Sequence, residues 1–87
     1  MYKVLLTKRA GKGLTKIAKP DSKRIVERFQ KLSYPFPTNF DIAKIAGKKG
    51  YFRLRVGNTR TIFEVDEIKN QIILRRIDYR GRIYKGI

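Results

Sequence analysis

"YFRLRVGNTRTIFEV", residues 51–65, is the stretch on which the fold turns. Two short alternating runs flank Gly57-Asn58, a dipeptide suited to a two-residue hairpin loop. Counting outward from it sets Val56 against Thr59, Arg55 against Arg60, Leu54 against Thr61, Arg53 against Ile62, Phe52 against Phe63 and Tyr51 against Glu64. Because side chains alternate along a strand, Phe52, Leu54, Val56, Thr61 and Phe63 form one face, suited to a core. Tyr51, Arg53, Arg55, Arg60, Ile62 and Glu64 form the other. Like charges directly opposite one another weaken a strand pair, so Arg55 facing Arg60 asks for a reason.

Outward from the hairpin, "QIILRRI" (71–77) reads as a further strand, and its unbroken Ile72-Ile73-Leu74 predicts a central position. "YKVLLT" (2–7) opens the chain as a strand. Residues 8–18 suit a short helix with Ala10, Leu14, Ile17 and Ala18 inward, although Gly11 and Gly13 weaken it. Pro20-Asp21-Ser22 suits a helix start, and Ile25, Phe29 and Leu32 then recur at helical spacing with Val26 alongside. "SYPFPTNF" (33–40) interrupts regular structure, and "DIAKIAG" (41–47) is a brief extended or connecting piece. The expected architecture is α+β: a small, mostly antiparallel four-stranded sheet in the order β-α-α-β-β-β, with two N-terminal helices packed on it. One domain should span residues 1–87.

Charge is the strongest compositional signal. Twenty-two Lys and Arg against seven Asp and Glu give a net +15, which points to a polyanionic partner, nucleic acid first. Residues 1–50 hold ten Lys and three Arg, whereas residues 51–87 hold two Lys and seven Arg. Arginine grips phosphate with a planar fork of donors, so the second half is the better place for a site. The lysines of the first half read as a solvated helical surface. No apolar run approaches ~18 residues, and the opening decapeptide lacks a secretory pattern; a cytoplasmic protein without a membrane partner is expected.

The absences narrow the chemistry. With no cysteine and no histidine, thiol nucleophiles, Ser-His-Asp triads and ordinary His acid–base pairs are excluded. Asp66-Glu67 reads as a solvated turn, no metal or cofactor is expected, and the glycines spell no phosphate-binding loop. RNA carries its own nucleophile, the 2′-hydroxyl, and arginines held in place can stabilise the crowded anionic phosphate of its attack. Arg55 and Arg60 would then tolerate one another because a phosphate belongs between them. In the tail "RRIDYRGRIY" (75–84), Arg75, Arg76, Arg80 and Arg82 alternate with Tyr79 and Tyr84, a pattern suited to single-stranded nucleic acid.

The element order, "DIAKIAG", "YFRLRVGNTRTIFEV" and the closing "RRIDYRGRIY" together resemble the RelE/ParE superfamily of toxin–antitoxin toxins over essentially the whole chain. The RelE-like branch consists of mRNA interferases that cut the message in the ribosomal A site and leave a 2′,3′-cyclic phosphate. By position, the resemblance implies catalytic roles for Arg53, Arg55, Arg60, Arg80 and Tyr84, while the basic, aromatic tail itself assigns Tyr79, Arg82, Arg75 and Arg76 to RNA contact. It also implies mRNA and ribosome as partners, an acidic antitoxin and a toxin–antitoxin heterotetramer. Lysine is frequent in the family where Arg53 and Arg55 stand, and an arginine cannot serve as a base, leaving Tyr79 or Tyr84 for proton transfer. Two further readings remain open: a ParE-like inhibitor of DNA gyrase, and a non-catalytic RNA- or ribosome-binding module.

Overall fold

The computed structural model describes residues 2–79. Its elements are β1 (Lys3–Leu6), α1 (Lys8–Lys16), α2 (Lys19–Gln30), β2 (Ile42–Lys44), β3 (Tyr51–Val56), β4 (Thr59–Asp66) and β5 (Gln71–Tyr79). They form a five-stranded sheet in the order β1-β5-β4-β3-β2. β1 runs parallel to β5 and every other neighbour is antiparallel. The α+β class and the two N-terminal helices are as expected, with one strand more than the sequence indicated. The extra strand is β2, inside "DIAKIAG", where Ile42, Ala43 and Lys44 pair with Leu54, Arg53 and Phe52. Three residues are too few to show an alternation, so this edge exists only because β3 offers it a partner.

The β3–β4 hairpin has the register obtained by counting, from Val56 opposite Thr59 to Tyr51 opposite Glu64. Gly57 takes φ +57 while Asn58 stays at negative φ, the pattern of a type II′ turn, whose twist matches that of the strands. β5 is an interior strand, but its triplet is not buried on both faces: Ile72 and Leu74 are buried and Ile73 is partly open. Burial on both faces falls instead on β4, where Thr61, Ile62 and Phe63 are all at 2% exposure or less.

Phe63 sits at the centre of the core. Phe29, Phe36 and Phe52 surround its ring at centroid distances of 5.5, 5.7 and 5.8 Å. The irregular segment 33–40 therefore contributes packing through Phe36 as well as connecting α2 to β2. Thr59 and Thr61 are buried among these apolar groups because their hydroxyls donate to the Val56 and Leu54 carbonyls at 2.7 and 3.1 Å. α2 buries Ile25 and Phe29, with Leu32 just beyond its end, as the spacing indicated.

α1 ends at Lys16, two residues earlier than expected, and Ala18 is exposed because it lies outside the helix as the N-cap of α2. Thr7 caps α1 by accepting the Ala10 N–H at 3.1 Å. Gly13 decides where the helix sits: a Cβ there would stand 2.6 Å from the Ile77 carbonyl oxygen on β5. Gly11, two residues earlier, has no neighbour within 4 Å of the same construction. The two glycines thus predict opposite outcomes. Gly11→Ala should stabilise the fold by about 0.5–1 kcal/mol through helix propensity. Gly13→Ala should destabilise it by about 1–3 kcal/mol through overpacking against backbone. Denaturant midpoints of both variants check this, and equal shifts would refute the close approach.

Candidate nucleic-acid interface

The helices cover one face of the sheet, with Leu54, Val56, Phe63, Ile72, Leu74 and Ile77 beneath them. Alternation sends Arg53 and Arg55 of β3 and Arg60 and Ile62 of β4 to the opposite face. Ile62 is only 2% exposed yet lies outside the core cluster; it is flanked in register by Arg53 and Arg76. Long basic side chains cover apolar surface with their methylene stems while their heads stay polar, which makes an apolar floor under a cationic surface.

Arg60 stands between Arg55 on one side and Asp78 on the other in the register of the two ladders. The sequence posed Arg55 against Arg60 without showing that β5 brings a carboxylate to the third position. Even so, Nη1 of Arg60 is buried and has no hydrogen-bond partner among the described residues. A buried charged donor left unmatched is costly, and an anionic oxygen would satisfy it. The Arg76 guanidinium is held below its ordinary value by burial first and by the like charge of Arg9 second, with Asp78 acting in the opposite direction.

β5 carries a bulge opposite Ile62 and Phe63: Ile62 pairs with Arg76 and Phe63 with Leu74, so Arg75 has no partner in the ladder. Its carbonyl instead accepts the Thr7 hydroxyl at 3.2 Å. Its side chain binds Glu64, with Nε and Nη2 at 2.9 and 2.8 Å from Oε1, and lies 5.6 Å from the Tyr51 ring centre. Arg75 is therefore already engaged, unlike the exposed Arg55 across the sheet.

α1 extends the basic surface. Arg9, Lys12 and Lys16 share one side of the helix and line a cleft of about 330 Å³ with Arg76, Asp78 and Tyr79. Arg9 and its neighbour Lys8 fall in the first turn, where no acid offsets the helix dipole. In sequence, the lysines of the first half read as a solvated surface, yet positions 9, 12 and 16 are spaced to lie opposite Ala10, Leu14 and Ile17.

No family model matches the chain. Toxin RelE3 of Methanocaldococcus jannaschii is 40% identical over 62 residues, covering 71% of this chain and 68% of that protein. This chain belongs to the RelE toxin family. The toxin in the RelB–RelE antitoxin–toxin complex from Methanococcus jannaschii superposes with a TM-score of 0.75 at 32% identity, over 87% of this chain and 89% of that one. The RelE–RelB complex from Pyrococcus horikoshii OT3 gives 0.78 at 30% identity, over 93% and 97%.

Within this RelE-like toxin, the structure brings Arg53, Arg55, Arg60 and Arg76 to one face and places Arg75 beside them in its pair with Glu64. Arg80, Arg82 and Tyr84 lie outside the described residues. Tyr79 lines the α1 cleft but turns away from the arginine face: it pairs with Thr59 on the packed side, its ring lies against the core, and its phenol oxygen accepts the Ala18 N–H at 3.0 Å. That bond ties the end of β5 to the junction of the two helices. Tyr79→Phe should cost about 0.5–1.5 kcal/mol of stability, the worth of one such hydrogen bond, and leave RNA affinity unchanged. Thermal unfolding beside an RNA-binding titration checks both halves of that expectation.

Proposed function

We propose that this RelE-like toxin is a ribosome-dependent endoribonuclease that cuts mRNA in the A site, inhibits translation and requires no metal. The observation that carries the reading is Arg60, a buried guanidinium nitrogen without a partner among the described residues, on a face shared with Arg53 and Arg55. A scissile phosphate supplies the missing acceptor and relieves the repulsion between Arg55 and Arg60.

In this mechanism the 2′-oxygen attacks the adjacent phosphorus and the bond to the 5′-oxygen breaks, leaving a 2′,3′-cyclic phosphate and a 5′-hydroxyl. Arg60 and Arg80 clamp the phosphate as its charge builds up, supported by Arg53 and Arg55. One proton leaves the 2′-hydroxyl and one reaches the departing 5′-oxygen. With Tyr79 hydrogen-bonded to Ala18 on the packed side, Tyr84 is the phenol assigned to stacking or proton transfer. Arg76, Arg75 and Arg82 guide the RNA.

The partners of this reading are mRNA and the ribosome, which place its action in the cytoplasm, and an acidic antitoxin that neutralises the basic face. Both solved relatives described above are complexes of a RelE with a RelB, which supports such a partner here; a toxin–antitoxin heterotetramer belongs to the same proposal. Cleavage of a message on programmed ribosomes tests the reading. The natural protein should cut only in the A site, and Arg60→Ala and Arg80→Ala should each lower the rate by at least about 100-fold, the usual effect of losing one charge-stabilising donor. Unchanged cutting in both variants would refute the assignment. Ribosome binding without products would leave a binding module, and gyrase arrest with intact messages a ParE-like inhibitor.

A further inference from the structure

A second cleft, of about 300 Å³, lies at the other end of the arginine face, between the start of α1 and the start of β3. Its walls bring together four cations, Arg9, Lys48, Arg75 and Arg76, and no carboxylate. Its floor includes the buried Ile62, and Tyr51 supplies an aromatic ring. The ring is flanked by two cations, Lys48 Nζ at 5.3 Å and the Arg75 guanidinium at 5.6 Å from its centre. Their hold is unequal. Arg75 is fixed by Glu64, whereas Lys48 is exposed and has no salt bridge among the described residues.

We propose that this cleft is a second RNA subsite, which stacks one base flanking the cut on Tyr51 and receives the adjoining phosphate at Arg9 beside Arg76. The proposal rests on the ribonuclease reading for its substrate but on separate residues. Tyr51 stands four positions from Arg55 on β3, about 13 Å along the strand, so one single-stranded segment can lie across both. An exposed lysine over an aromatic ring is worth about a two- to fivefold factor, whereas a stacked base is worth about five- to 150-fold, so a base displaces Lys48 from the ring. An acidic protein segment would be drawn to the charge of the cleft but would leave the ring and the apolar floor without a use. Single-stranded RNA uses all three.

The test is fluorescence anisotropy at low salt with a labelled RNA heptamer, 2′-O-methylated throughout so that it cannot be cut, and a set of heptamers each made abasic at one position. Tyr51→Ala should bind the intact heptamer about tenfold more weakly, and Tyr51→Phe should bind as the natural protein does. One abasic position should weaken the natural protein about tenfold and leave Tyr51→Ala unaffected. Arg9→Ala should lower the salt slope by about one. Equal affinity of the natural protein and Tyr51→Ala would overturn the subsite, as would no binding of the heptamer at all. Indifference to every abasic position combined with a loss in Arg9→Ala would overturn it, leaving a phosphate contact without a stacked base. The cutting reaction is read separately on programmed ribosomes. A toxin that cuts but is indifferent to Tyr51 loses the subsite alone. One that shows the affinity pattern but does not cut keeps the subsite and loses the ribonuclease reading.

Discussion

Where α1 lies against β5, two backbones meet without a side chain between them, and the arrangement of charges depends on that seam. Gly13 admits the Ile77 carbonyl, and Thr7 caps the helix while its hydroxyl satisfies the Arg75 carbonyl freed by the bulge. The Thr7 N–H also donates to the Leu74 carbonyl at 3.0 Å, continuing the β1–β5 ladder to the first turn of the helix. These contacts fix α1 beside the strand that carries Arg75, Arg76 and Asp78. A displaced helix would carry Arg9, Lys12 and Lys16 away from it.

The cost of this arrangement is electrostatic. A chain with a net charge of +15 concentrates like charges on one side of a small sheet, where the Glu64–Arg75 salt bridge neutralises one of them. Stability must come from the opposite side. There the aromatic rings around Phe63, the apolar sides of both helices and the internally bonded threonines form a dry core. The division explains how Arg60 can keep a buried nitrogen without a partner: packing elsewhere offsets a local penalty that a bound anion would remove.

Residues differed in how openly they declared their roles. Arg53, Arg55 and Arg60 were legible because a two-residue turn leaves one register, and one register fixes the faces. Arg76 was legible as part of a basic tail but not as the residue opposite Ile62, because the bulge that sets its pairing has no mark in the sequence. Tyr79 looked like its neighbours in an arginine-rich run, yet alternation along β5 turns it to the packed side, where Ala18 engages it. Asp78 went unnoticed because its importance lies in facing Arg60 across a ladder.

By itself the sequence determined what depends on local rules: the hairpin and its turn, the apolar stripe of α2, the interior placement of β5, the exclusion of cysteine and histidine chemistry, and the excess of positive charge. Tertiary structure alone decided the strand β2, which needs β3 as a template, the parallel docking of β1 on β5, and the seating of α1 at Gly13. It also decided which groups share a cleft, since Arg9, the neighbouring Lys48 and Tyr51, and Arg76 come from three distant parts of the chain and meet only once the sheet has formed. The physical reason is the same in each case. Periodicity and turn chemistry act within a few residues, whereas pairing between distant segments depends on surfaces that exist only once the other elements have formed.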